Sequence, residues 1–197
     1  DDSLALPIPG TGTAAMEAAI ANLVEPGEKI LIGINGFFGM RLAEIAKRYS
    51  AKVATVNQEW GLPILPEHIE LGLKNNPDTK VVALVHAETS TGVLSPIEDI
   101  AKVIHQKNIP MIVDAVTSLG GEKLLTADWD IDFCYAATQK CLGATPGLGP
   151  VNLRSRALEK LRSRKTQIST FYLDLLTVHK YWDAERMYHH TSPVNNL

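Results

Sequence analysis

The sequence predicts an α/β fold, a three-layer sandwich with a mostly parallel sheet, and three observations carry that prediction. Apolar runs of strand type alternate with segments of helical period, which is the pattern of βαβ units covered on both faces. The 14 glycines and 11 prolines are spread along the chain, so they punctuate many short elements without creating a low-complexity segment. The 197 residues are 45% hydrophobic, enough for one large domain to build its core without disulfides or a structural metal.

The elements follow in order. Leu4 to Ile8 reads as a short strand, and Thr13 to Val24 as a helix with small residues on its early turns, broken by Pro26-Gly27. Lys29 to Ile34 is a strand, Phe38 to Tyr49 a helix, Lys52 to Val56 a strand, and Pro66 to Asn75 a helix that ends in a polar turn. Lys80 to His86 is the most strand-like run, and Pro96 to Lys107 is a helix with proline in its first turn. Ile109 to Val113, Asp132 to Ala136 and Gly149 to Leu153 are strands, and a basic helix covers Ser155 to Lys165. No linker divides the chain, so residues 1–197 are expected to form one domain.

Composition narrows the function. A net charge of -3 with mixed-sign clusters gives no electrostatic footprint for nucleic acid. No apolar run approaches the roughly 18 residues of a membrane span. Cys134 and Cys141 match neither a redox pair nor a zinc site, so a reduced, cytoplasmic setting is expected and no metal is. His86-Ala87-Glu88 lacks the Cys-x-x-Cys that a zinc deaminase requires. His189 and His190 are adjacent, and on an extended segment they would point opposite ways. The basic run from Arg154 to Lys165 reads as a solvated helix face, and Phe171, Tyr172, Tyr181 and Trp182 as core or dimer packing.

In folds of this kind ligands bind at the carboxyl ends of the strands, and three such ends stand out. Pro9-Gly10-Thr11-Gly12-Thr13 joins a strand to a helix start, where close backbone approach and outward amides suit a phosphate. The same loop satisfies Gly-x-Gly-x-x-Ala through Ala15, yet the next strand ends Ile34-Asn35-Gly36, without the acid a dinucleotide site needs. Asp114 closes an apolar strand, so it is either a structural ion pair or a ligand group. Lys140 follows another strand, where desolvation can turn an amine into a nucleophile toward carbonyls. An anion site, a partner for a pyridine nitrogen and a Schiff-base amine are the three contacts that pyridoxal phosphate requires.

The sequence resembles the class V aminotransferases of fold type I, within them the alanine-glyoxylate and serine-pyruvate group. The likeness rests on Gly10-Thr11-Gly12-Thr13 with Glu17-Ala18, on Asn35-Gly36-Phe37-Phe38-Gly39, and on the run from His86 to Gly92. It continues in Val113-Asp114-Ala115-Val116, Gln139-Lys140 and Tyr188-His189-His190-Thr191. The resemblance implies pyridoxal phosphate on Lys140, which also shuttles the substrate proton, with Asp114 as partner of the pyridine nitrogen. It assigns the phosphate to Thr11, Gly12 and Thr13 with Gln139 nearby, a stacking ring to Phe38, and a hydroxyl beside the cofactor to Thr89. Tyr188 and Thr191 match residues that reach the phosphate of the other subunit, so a homodimer is implied.

Two positions depart from the family pattern: Pro9 stands where relatives usually carry serine, and Phe38 where they often carry tryptophan. The chain begins on Asp1-Asp2 and ends at Asn195-Asn196-Leu197, and it is read as a fragment. An amino-terminal segment and a small carboxyl-terminal domain with the substrate-binding arginine are expected outside it. The implied reaction moves an amino group from alanine or serine to glyoxylate or pyruvate, with ureidoglycine and hydroxykynurenine open as donors. Alternatives are a lyase or desulfurase using Cys141, a silent cofactor-binding dimerisation module, and a nicotinamide oxidoreductase resting on the glycine loop alone.

Overall fold

The computed structural model describes residues 3–196; Asp1, Asp2 and Leu197, on which the fragment reading partly rests, lie outside the described residues. In chain order the elements are β1 (Ser3–Gly10), α1 (Gly12–Leu23), β2 (Lys29–Ile34), α2 (Phe37–Arg48), β3 (Lys52–Asn57) and α3 (Pro66–Asn75). They continue with β4 (Thr79–Val85), β5 (Ala87–Glu88), β6 (Val93–Leu94), α4 (Ile97–His105), β7 (Met111–Asp114) and β8 (Phe133–Tyr135). β9 (Gly147–Arg154), α5 (Ser155–Arg162) and α6 (Leu175–Trp182) complete the chain before a 3-10 turn at Val194–Asn196. The sequence reading lacked the β5–β6 hairpin, whose strands are too short to show a period, and α6.

Seven strands form one sheet in the order β1-β9-β8-β7-β4-β2-β3. β8, β7, β4, β2 and β3 pair in parallel, whereas β9 is antiparallel to both of its neighbours. β9 alone therefore opposes the common direction. Proline has no amide hydrogen to give a ladder and is tolerated on edge strands, and β1, which carries Pro7 and Pro9, is the edge strand beside β9.

Period-two alternation splits the core in two. Val81, Ala83 and Val85 face one side of β4 and join α1, α2, α5 and α6; Val82 and Leu84 face the other and join α3 and α4. The expected three layers are thus present. α1 is buried on most of its surface, and its alanines (Ala15, Ala18, Ala19, Ala21) let it lie close to the sheet. Its buried Asn22 donates to the carbonyl of Leu173 at 2.6 Å and accepts from the Leu175 amide at 3.0 Å. α6 is pinned to the sandwich by that contact. Proline opens α3, and the amide of Leu65 donates to Nδ1 of His68 to close the turn.

Three expectations need correction. The basic run is only partly a solvated face, because four of its six cations find acceptors across the chain: Arg154 and Arg156 pair with Asp130, Arg156 reaches Asp132, Lys160 pairs with Glu28, and Arg164 donates to the carbonyls of Asn22 and Val24, whereas Arg162 and Lys165 are exposed. His189 and His190 do not diverge. Their segment is not a strand, and their Nδ1 atoms lie 2.7 Å apart. Of the core-or-dimer reading, the core half fails for Phe171 and Tyr172, which are 74% and 46% exposed in this chain. Among the described residues no group of side chains could hold a metal ion, and no helix is long and apolar enough to cross a membrane.

Candidate functional site

The common strand direction brings the ends of β1, β4, β7 and β8 to one edge of the sheet, and the segment after β7 is their meeting point. Gly12 opens α1 so close to it that a Cβ there would lie 2.7 Å from Val116 and 3.3 Å from Ala137. A glycine is required because any side chain would wedge these loops apart. The Ala115 amide donates to the Tyr135 carbonyl at 2.9 Å. Thr89, just after β5, donates to Thr117 at 3.2 Å, and Thr117 in turn donates to the Ala87 carbonyl at 2.8 Å. The thiol of Cys141 donates to the Thr117 carbonyl at 3.3 Å, which ties the turn carrying Lys140 to the same hub.

Asp114 sits at the centre, 3% exposed. Its Oδ1 accepts from the Val116 amide at 2.9 Å and its Oδ2 from the Tyr135 hydroxyl at 2.8 Å. No ion pair holds it among the described residues, which removes the structural-pair reading. Burial, with a smaller push from the charge of Glu88, raises its carboxyl to about 6 against the two hydrogen bonds and the charge of Arg41. The same interior raises Tyr135 well above its ordinary value, and Cys134 to about 12, burial first and the Asp114 charge second. A buried carboxylate with donors but no cation is a site prepared for a positive group.

The start of α1 supplies the opposite charge preference. Thr11 is its N-cap residue but makes no side-chain cap, so the first amides keep their hydrogens for an anion. Thr13 is exposed and accepts from the Arg41 guanidinium at 3.0 Å. Lys140 is exposed on the turn after β8. Beside it, Oε1 of Gln139 is buried without a partner, an orphan that calls for a ligand. Thr191 lines a cavity of about 370 Å³ with Gly10, Thr11 and Tyr172 of the same chain. Tyr188 is 73% exposed and bonds to Thr191 at 3.2 Å. A second cavity, of about 390 Å³, runs from Thr89 and Thr117 to Cys141. A third, about 670 Å³, lies between α3 and α4 at the far edge and holds none of these residues.

Phe38 is half-buried at the start of α2, and its surroundings contain the residues that sequence reasoning missed. Glu88, 1% exposed, accepts from the amides of Phe38 and Gly39 at 3.0 and 3.2 Å and from Ser90 at 2.7 Å. A Cβ on Gly36 would collide with it. Arg41 lies 4.8 Å over the Phe38 ring and 5.0 Å over that of Phe37. Arg41 had a local signal, since it falls one turn after both rings; Glu88 had only its place in the His86-to-Gly92 run.

A family model described as aminotransferase class-V matches residues 8–197. The alanine-glyoxylate aminotransferase of Mus musculus is 39% identical, over 98% of this chain and 47% of the relative. The (S)-ureidoglycine-glyoxylate transaminase of Bacillus subtilis is 36% identical, over 98% of this chain and 50% of the relative. The crystal structure of an alanine-glyoxylate aminotransferase from Nostoc sp. has 45% identity and a TM-score of 0.95, covering 98% of this chain and 51% of that one. The chain spans about half the length of the curated relatives it matches.

Proposed function

Because this chain belongs to the class-V aminotransferase family, we propose that residues 1–197 are the cofactor-binding part of a pyridoxal-phosphate transaminase. It moves an amino group from a small amino acid, alanine or serine, to glyoxylate or pyruvate. The observation that carries the reading is the contact of Gly12 with Val116 and Ala137, which gathers an anion cradle, a buried acid and a lysine at one sheet edge. The donor set fits the cofactor: an uncapped helix start for a phosphate, a carboxylate without a cation for a pyridine nitrogen, and a buried amide oxygen without a partner.

Pyridoxal phosphate supplies an aldehyde that condenses with amines and a ring that accepts an electron pair. Thr11, Gly12 and Thr13 bind its phosphate through the first amides of α1 and two hydroxyls, with Gln139 beside them. Asp114, oriented by Tyr135 and the Val116 amide, holds a proton on the ring nitrogen. Phe38 covers one ring face and keeps water off it, and Thr89 offers its hydroxyl at the ring edge. Lys140 would hold the cofactor's aldehyde carbon through Nζ, and when Nζ is free it would carry the proton of the substrate α-carbon. Tyr188 and Thr191 serve a phosphate across a homodimer interface, for which the exposure of Tyr188 leaves room.

Borohydride reduction after incubation with pyridoxal phosphate, followed by peptide mass mapping, tests the reading. The expected label lies on Lys140, and Lys140→Ala abolishes it and lowers turnover by more than about 10³-fold. A folded protein with no labelled lysine would overturn the proposal.

A further inference from the structure

The first turn of α2 is held from two sides, by a carboxylate from the β5–β6 hairpin and by a guanidinium from the next turn of the helix itself. On one side Glu88 reaches in from the β5–β6 hairpin, and its Oε2 accepts from the amides of Phe38 and Gly39 at 3.0 and 3.2 Å. Its Oε1 accepts from the amide and hydroxyl of Ser90 at 3.1 and 2.7 Å, and Ser90 Oγ accepts from the Phe37 amide at 2.9 Å. The amides of Phe37, Phe38 and Gly39, which have no acceptor inside a helix, are thus satisfied by one carboxylate and its hydroxyl neighbour. On the other side the Arg41 guanidinium lies 4.8 Å over the Phe38 ring and donates to Thr13 at 3.0 Å. No carboxylate forms an ion pair with Arg41 among the described residues; its guanidinium contacts two rings and one hydroxyl, and its charge also favours the ionised form of Asp114 at longer range.

We infer that Glu88 and Arg41 are positioning residues that clamp the first turn of α2 and so fix the plane of Phe38 over the cofactor position. This rests on the pyridoxal-phosphate reading above. Glu88 sets the height of the Phe38 backbone, and Arg41 sets the ring's tilt while tethering it to the anion cradle through Thr13. Glu88 also carries Thr89 as its chain neighbour, so one carboxylate sets both the stacking ring and the hydroxyl beside it. Neither side chain touches the reacting atoms in this scheme; both act through Phe38, Thr13 and Thr89. A charged carboxylate at a helix start is favoured by the helix dipole, and a guanidinium over an aromatic face by the ring quadrupole.

The test uses Glu88→Gln, Arg41→Met and Arg41→Lys in the full chain, with two readouts. Amide hydrogen exchange on the cofactor-free protein reads the clamp itself. Glu88→Gln, which must turn its NH₂ toward either the Ser90 amide or the Phe38 and Gly39 amides, is expected to speed exchange at least tenfold within this set of amides. The visible circular dichroism and dissociation constant of added pyridoxal phosphate read the consequence. Glu88→Gln and Arg41→Met are expected to weaken binding about tenfold and to lower the dichroism per bound cofactor while leaving the label on Lys140; Arg41→Lys recovers part of both. Variants that bind within twofold of the parent with an unchanged dichroic spectrum would overturn the inference and leave the transaminase reading intact. A parent protein that binds no pyridoxal phosphate would overturn both.

Discussion

Ionising Asp114 works against its surroundings, because the side chain is buried with two donors and no cation. Its folded-state value of about 6 lies above the ordinary 3.8, so between those pH values the native protein keeps a proton that the unfolded chain has released. The contribution of this group to stability is therefore full below about pH 4, falls as pH rises to about 6, and is flat beyond. A shift of this size corresponds to about 3 kcal/mol. Asp114→Asn removes the charge, keeps an acceptor for the Val116 amide, and lets the Tyr135 hydroxyl rotate to accept. The cofactor-free variant is expected to gain roughly 1–3 kcal/mol at about pH 8 and much less at about pH 4 in urea unfolding, and to bind pyridoxal phosphate more weakly. An equal difference at both pH values would show that Asp114 titrates as an ordinary carboxyl. The residues of the proposed cofactor site were legible only as a set, because a glycine loop, a carboxylate and a lysine each have ordinary structural readings and stand out when all three fall at strand ends. The clamp on Phe38 was not, because Glu88 acts on amides 50 residues away in sequence.

At the scale of elements, tight backbone contacts decide how the loops meet. The Gly12 Cα faces Val116 and Ala137 at a separation that admits no methyl group, so Gly12→Ala is expected to destabilise the fold by about 1–3 kcal/mol. It is also expected to weaken pyridoxal phosphate binding at least tenfold, measured by titration against urea-calibrated folded protein; unchanged affinity would dissociate the loop convergence from the cofactor site. α6 depends on a single polar residue. Asn22→Ala strips the Leu173 carbonyl and the Leu175 amide of their buried partner, with an expected loss of about 1–3 kcal/mol. Limited proteolysis is expected to cut first within 165–190, and protection there equal to the parent would show that Asn22 is dispensable. The sequence pattern located the long helices and strands well because each spans at least one full period. It could not show β5–β6, since two-residue strands carry no period, and α6 was missed although Asp174 caps it and Leu175 and Val178 bury in the core.

Across the whole molecule the two edges of the sheet divide the labour. The carboxyl edge holds Asp114, the glycine loop and Lys140. The other edge is closed by charge: Asp132, 1% exposed, accepts from the Met111 amide at 2.7 Å and from Arg156, and Arg156 also bonds to Asp130 at 2.9 Å. Arg156→Met leaves a buried carboxylate without its guanidinium, and a loss of about 3–5 kcal/mol is expected. Pyridoxal phosphate affinity, measured at a temperature where the variant is fully folded, is expected to stay within twofold of the parent. A large fall in affinity would mean that the edges are coupled through the sheet.

By itself the sequence determined the layer architecture, the mostly parallel sheet and the three loops proposed to hold the cofactor, because hydrophobic period, glycine placement and a charge at a strand end are local properties of the chain. Tertiary structure alone decided that these loops share one point, that Asp114 has no ion-pair partner among the described residues, that Arg154, Arg156 and Lys160 are paired, and that Glu88 and Arg41 grip Phe38. Each of those depends on the distance between side chains far apart in sequence. Such distances are set only when the sheet order and the packing of its two layers bring the strand ends together.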